Sequence, residues 1–96
     1  MPTFAQTDRF RRDFANLTAA QKAAFRVAAA KFVADLESGG FRPGLGVKGV
    51  QGAAGLFEMT RAEDGRATFE YGSPVREGET RIVWRRIGTH GILTRP

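Results

Sequence analysis

Apolar residues in the first forty positions recur at helical spacing. Phe10, Phe14 and Leu17 stand at i, i+4 and i+7 and share one helical face, so a short amphipathic helix is predicted from residue 8 to about residue 16. Thr18 is followed three residues later by Gln21, the pattern of a capping box that opens a helix. A second helix is therefore predicted to begin directly after the first.

The second helix is predicted over residues 19–36. Alanines and basic residues favour a helix there, Lys31 and Asp35 are spaced as an i, i+4 ion pair, and Gly39 and Gly40 end it. Its apolar stripe comprises Phe25, Ala28, Ala29, Phe32 and Leu36. Two helices joined by about two residues form an antiparallel hairpin, here with a Phe-rich face.

After residue 46 the apolar period changes from helical spacing to alternation. Short strands are predicted over residues 47–50, 56–61, 66–71 and from 81 onward, and Asp64 with Gly65 is a two-residue hairpin signal. Phe57 and Met59 alternate with Glu58 and Thr60 in one strand, and Ala67, Phe69 and Tyr71 lie on one face of the next. Near the start of the chain, Thr3 and Phe4 fit a short edge strand.

The order of elements defines the expected fold. We predict one α+β domain over residues 1–96, with an N-terminal helical hairpin packed on one face of an antiparallel sheet of about four strands. Ninety-six residues are enough for one core and leave no room for a second module.

Composition narrows the class of partner and chemistry. The chain has fifteen basic and ten acidic residues, a net charge of +5 and a pI near 10.7, which favours a polyanionic partner. It lacks cysteine and has one histidine, which excludes disulfides, thiolate metal sites and a cysteine nucleophile. No signal segment or membrane-spanning run is apparent, so the expected location is the cytoplasm.

Glycine and serine patterns do not indicate a nucleotide site or a hydrolase. The glycines at 44, 46, 52 and 55 neither follow a strand and open a helix nor precede Lys-Ser or Lys-Thr, so they are interpreted as turn residues. Ser38 and Ser73 lie in predicted turns without the strand-to-helix setting of a catalytic serine. The carboxylates of the sheet region are interpreted mostly as solvated.

The basic residues of the sheet region are the strongest functional signal. Candidates for one uncovered sheet face are Lys48, Arg61 or Arg66, Arg85, Arg86 and His90. Arg85 and Arg86 are adjacent, so alternation is expected to send only one of them to a given face, and the other to Glu58, Glu70 or a helix end. Histidine is the only side chain whose ordinary pKa lies near neutrality, and His90 is the only histidine.

A basic sheet face of this kind meets the requirements of RNA cleavage by attack of a 2′-hydroxyl. One group must take the hydroxyl proton, another must protonate the departing 5′-oxygen, and cations must stabilise the charge that develops on phosphorus. Tyr71 or Phe69 would supply an aromatic surface on which a base can stack.

Several segments together resemble the RelE/ParE superfamily of bacterial toxins. The resemblance rests on the helical hairpin followed by residues 47–50 (Val-Lys-Gly-Val), 56–59 (Leu-Phe-Glu-Met), 65–71 (Gly-Arg-Ala-Thr-Phe-Glu-Tyr) and 82–90 (Ile-Val-Trp-Arg-Arg-Ile-Gly-Thr-His). For a RelE-like member it implies metal-independent mRNA cleavage in the ribosomal A site, a cognate antitoxin as partner, mRNA and the ribosome as further partners, and no cofactor.

Positions that match the superfamily give an expected division of roles. Lys48, Arg66 and Arg86 would bind phosphate and stabilise the transition state, and His90 would act as acid or base. Apart from the resemblance, Arg61 and Arg85 on the basic face and the aromatic Tyr71 are candidates to contact RNA. The tyrosine that ends many RelE-like nucleases has no counterpart in residues 91–96. Two alternatives stay open: a ParE-like toxin that binds DNA gyrase without catalysis, and an inactive RNA-binding relative.

Overall fold

The computed structural model of the chain describes residues 2–61 and 64–96, which form two helices and a five-stranded sheet. Short 3-10 turns lie at Pro43–Leu45 and His90–Thr94. In chain order the main elements are β1 (Thr3–Gln6), α1 (Asp8–Ala15), α2 (Ala19–Ser38), β2 (Lys48–Gly49), β3 (Leu56–Thr60), β4 (Gly65–Gly72) and β5 (Arg81–Thr89).

The sheet has the order β1-β5-β4-β3-β2, and its last four strands in the chain form the predicted antiparallel meander. The α+β prediction is confirmed. The sheet is mixed, however, because β1 lies parallel to β5, with Thr3 opposite Arg81 and Gln6 opposite Trp84. An edge strand that pairs with the far end of the chain gives no local signal of its direction.

Both helices begin at capped residues. The Thr7 hydroxyl accepts a hydrogen bond from the Phe10 N–H at the start of α1. At α2 the Thr18 hydroxyl accepts from the Gln21 N–H, while the Gln21 side chain accepts from the Thr18 N–H at 2.8 Å, so the predicted capping box is present. Gly39, with φ 93°, ends α2 in the left-handed conformation.

Replacing Thr18 by alanine is expected to lower the free energy of unfolding by about 1 kcal/mol, because the Gln21 N–H then loses its acceptor. Urea denaturation followed by circular dichroism measures this loss. Serine at the same position keeps a hydroxyl and should retain most of the stability. An alanine variant as stable as the parent chain would show that the capping box contributes nothing.

The core fills the space between the helices and one sheet face, where aromatic rings pack on one another. The Phe32 ring lies 5.0 Å from Phe69 and 5.1 Å from Trp84, and Phe25 lies 5.4 Å from Trp84. Phe10, Phe32 and Phe69 are fully buried. The apolar alternation of β3, β4 and β5 thus faces the helical hairpin, as the sequence predicts. Neither described helix is long and apolar enough to cross a membrane.

Two local predictions are wrong. Gly65 does not form a two-residue hairpin with Asp64, because it is already the first residue of β4, opposite Thr89, and its φ is not positive. A side chain at Gly65 would instead meet the Cζ atom of Arg61 at 2.6 Å. The connection includes residues 62 and 63, which lie outside the described residues.

The second wrong prediction is the ion pair of Lys31 with Asp35. Asp35 pairs with Arg42, accepting from its Nε at 2.8 Å and from its backbone N–H at 2.9 Å. Hydrogen bonds from the Arg42 side chain and backbone lower the pKa of Asp35 to about 2. The carboxylate therefore fastens the turn after α2 to the helix and leaves Lys31 exposed.

Candidate functional site

The sheet face opposite the helices carries a row of polar side chains that runs from the edge strand β2 to the central strand β4. Strand register sets Lys48 opposite Glu58, and Glu58 opposite Thr68. Because paired residues point to the same face of a sheet, these three side chains lie together on the side away from Phe69. Glu58 and Thr68 are buried, whereas Lys48 is exposed.

A cleft of about 370 Å³ opens on this face and brings Lys48, Glu58 and His90 together. Its remaining walls are Gly49, Val50, Gln51 and Leu93. Lys48 and His90 lie far apart in the sequence, and their convergence is predicted from the order of the strands. The structure places both at the same cleft.

His90 reaches the cleft because the chain turns at the end of β5. Its backbone N–H donates to the Asp64 carbonyl at 3.0 Å. The Thr89 hydroxyl accepts from the Gly91 N–H at 3.3 Å, and Ile92 is buried. The 3-10 turn that carries His90 is thus held by its backbone and by one apolar anchor, while the imidazole stays exposed.

Glu58 is a site residue that the sequence pattern alone does not single out. Its side chain is 7% exposed, and its Oε1 lies 3.7 Å from Nε of Arg66. Arg66 also donates to the Gly65 carbonyl at 3.0 Å, and its contact with Glu58 places its guanidinium beside the cleft. The signal was available: the turn over residues 52–55 pairs the two strands so that Glu58 stands opposite Lys48.

A β-bulge separates the two adjacent arginines of β5. Thr68 is opposite Arg86 and Phe69 is opposite Trp84, which leaves Arg85 as the extra residue. Arg85 donates to Glu70 at 3.3 Å. The expected simple alternation across the strand is therefore replaced by a bulge, but one expected partner, Glu70, is the observed one.

Arg86 pairs with the last turn of α1. Asp13 accepts from Nε of Arg86 at 2.9 Å, from Nη2 at 3.1 Å and from the Ile87 N–H at 3.2 Å. Burial alone would raise the pKa of Asp13, but these hydrogen bonds and the positive charge of Arg86 outweigh it and lower the pKa below 3.8. Asp13 thus fastens α1 to the edge of β5 where β1 has ended.

Replacing Asp13 by asparagine is expected to cost about 1.5–3 kcal/mol of unfolding free energy at pH 7, the usual worth of a hydrogen bond to a charged group. Because the folded pKa of Asp13 is lowered, its contribution is present above the ordinary value of 3.8 and is lost as pH falls through the folded pKa. The variant should therefore lose less stability than the parent chain between pH 7 and pH 3.

Urea denaturation at both pH values measures the effect of Asp13→Asn. Asp8→Asn is the matched control, since its side chain is 89% exposed and pairs, among the described residues, with Arg11 on the surface of α1. Its change should stay within about 0.5 kcal/mol. Equal losses in the two variants, or an unchanged acid sensitivity in Asp13→Asn, would contradict the proposed bond.

Arg61 and Tyr71 lie away from the cleft. Arg61 is buried and donates from Nη2 to the Gly88 carbonyl at 2.9 Å. Burial lowers the pKa of its guanidinium, although the negative charge of Asp64 acts in the opposite direction. Tyr71 lies in register with Ile82 on the face that bears the helices, with its ring 5.4 Å from that of Phe57. The structure does not bring either residue to His90.

The cleft therefore presents an ammonium, an imidazole and a carboxylate, with a guanidinium beside the carboxylate. Arg86 lines a different cleft, between the α1–α2 connection and the end of β5. Within the described ranges, no group of three histidine or carboxylate side chains is placed to hold a metal ion. The arrangement can bind an anion and move a proton next to it.

No protein-family model matches the chain, and no curated protein sequence matches it. Solved structures do. A histidine-to-glutamine mutant of YafQ from E. coli is 12% identical, with a TM-score of 0.68 over 97% of this chain and 98% of that one. The RelE of a RelB–RelE antitoxin–toxin complex from Methanococcus jannaschii is 13% identical, with a TM-score of 0.62 over 95% of each chain.

A metal-bound toxin from Helicobacter pylori is 15% identical, with a TM-score of 0.63 over 95% of this chain and 97% of that chain. Identities this low establish the fold alone. The chain has the RelE-like toxin fold over nearly its whole length, and the fold expected from the sequence resemblance is confirmed.

Proposed function

We propose that the protein is the toxin of a type II toxin–antitoxin pair and that it inhibits translation by cleaving ribosome-bound mRNA without a metal. The observation that carries the proposal is the cleft that unites Lys48 and His90 on the open sheet face of a RelE-like fold. Structures of this fold include complexes with antitoxins, namely RelB–RelE and DinJ–YafQ, which supports an antitoxin as the partner.

In the proposed reaction a base removes the proton of a ribose 2′-hydroxyl, and the oxygen attacks the adjacent phosphorus. The bond from phosphorus to the 5′-oxygen breaks, an acid protonates that oxygen, and the products are a 2′,3′-cyclic phosphate and a 5′-hydroxyl. His90 serves at one of the two proton transfers, being an exposed imidazole at the cleft. Lys48 binds the phosphate and stabilises its added negative charge.

The other basic residues have supporting parts in this proposal. Arg66 is held by Glu58 beside the cleft and adds positive potential there. Arg86, four residues before His90, fixes β5 against Asp13 and donates to the Arg95 carbonyl at 3.3 Å, so it acts by holding the segment that carries His90. Arg85 lies on the open face and is a candidate to follow the RNA backbone.

Inducible expression tests the function. Growth, the rate of protein synthesis and the 5′ ends of cellular RNA are measured after induction, and purified protein is then given the same RNA free or on programmed ribosomes. The proposal requires new 5′-hydroxyl ends within coding sequences and a fall in translation. Growth arrest with altered DNA supercoiling and no new RNA ends would select the ParE-like alternative instead.

A further inference from the structure

Helix α2 is apolar on more than the side that faces the core. Phe25, Ala28 and Phe32 are buried on the sheet side, whereas Val27 is 58% exposed. A helix that is apolar nearly all round is normally covered on more than one side. The side of α2 that carries Val27 is therefore apolar but not covered by another part of the described chain.

The exposed side of α2 forms one wall of a groove of about 470 Å³. Ala24, Val27 and Lys31 lie along it at i, i+3 and i+7, the buried Ala28 forms its floor on the sheet side, and the buried Leu45 lies opposite in the turn after α2. Small residues on the helix allow the backbone of an occupant to approach closely. A continuous stripe beside a second apolar wall is the shape that receives an amphipathic helix.

The groove is also electropositive. Lys31 is exposed and pairs with no carboxylate in the part of the chain that the structure describes, since Asp35 is taken by Arg42. Arg61, at the other wall, is 9% exposed, and its Nε is buried without a hydrogen-bond partner. Of the five guanidinium N–H groups of Arg61, one donates to the Gly88 carbonyl and the Nε–H is closed off from solvent, which leaves the other Nη hydrogens as donors for an anionic group.

We propose that this groove docks an acidic amphipathic helix of the antitoxin, with a carboxylate of that helix paired to Arg61. The inference rests on the proposed function for the identity of the partner. The groove shares no lining residue with the Lys48–His90 cleft, so the docked helix binds without needing that cleft. Because Arg61 also binds the carbonyl two residues before His90, docking reaches the turn that carries His90 through this one side chain.

Binding of the purified antitoxin, the product of the adjacent gene, tests the inference by calorimetry. All toxin chains carry His90→Gln so that toxicity does not limit expression. Val27→Asp places a negative charge in the groove and should weaken binding at least about tenfold. Val75→Asp, at a valine 65% exposed outside the groove, is the matched control and should change the affinity less than about twofold.

A second variant, Lys31→Gln, should weaken binding and reduce its dependence on salt concentration. Equal affinity of the parent, Val27→Asp and Lys31→Gln chains would overturn the groove as the docking site and leave the proposed toxin function standing. Failure of the adjacent product to bind the parent chain at all would overturn both this inference and the antitoxin partner. The RNA-end measurement would still decide the nuclease activity by itself.

Discussion

Replacement of His90 by glutamine is expected to lower the rate of RNA cleavage by about 10²–10⁴-fold, the usual worth of a positioned acid or base. Glutamine keeps a polar side chain of similar reach but does not exchange protons near neutral pH. His90 is exposed and only its backbone is held, by the Asp64 carbonyl, so the fold should tolerate the change. Single-turnover cleavage on programmed ribosomes measures the rate.

Thr94→Ala is a control for the His90 variant within the same 3-10 turn. Its hydroxyl donates to the Gly91 carbonyl within the same turn, at 3.0 Å, and the residue does not line the cleft. Cleavage should fall less than about threefold, and both variants should unfold within about 0.5 kcal/mol of the parent chain. Full cleavage by His90→Gln would remove His90 from the chemistry, and full cleavage by Lys48→Met as well would mean that this cleft is not the site.

Local pattern predicted most of the fold, because helix and strand periods depend on neighbouring residues. The capping box at Thr18, the end of α2 at Gly39 and the alternation of β4 are all set within a few positions. Three features were not predictable in that way. They are the parallel pairing of β1, the bulge at Arg85, and the absence of the two-residue hairpin at Gly65, all of which depend on pairing or packing across the sheet.

The candidate site was predictable in part for the same reason. The apolar and polar alternation of the sequence predicts a meander of strands, and the order of those strands brings Lys48 and His90 together. Which cations are neutralised does not follow, since Arg86 pairs with a carboxylate 73 residues away and Arg85 with one 15 residues away. The uncovered sheet face is consequently less positive than a count of its basic residues suggests. Part of the unneutralised positive charge of the protein lies elsewhere, at Lys31 on α2.

Truncation of Phe32 to alanine is expected to lower the free energy of unfolding by about 3–5 kcal/mol, the cost of removing a buried aromatic ring and leaving a cavity. Phe32 is fully buried, and its ring lies 4.9 Å from Phe41, 5.0 Å from Phe69 and 5.1 Å from Trp84. A domain of this size has about 5–14 kcal/mol of stability in total, so this one change removes a large share of it.

Val27→Ala on the same helix is the control for Phe32→Ala. Val27 is 58% exposed, and alanine is the better helix former, so the isolated protein should unfold within about 0.5 kcal/mol of the parent chain. Urea denaturation followed by tryptophan fluorescence reports both changes, because Trp84 lies in the Phe32 cluster. Similar losses of stability in the two variants would contradict the difference in burial between Phe32 and Val27, and with it the uncovered side of α2.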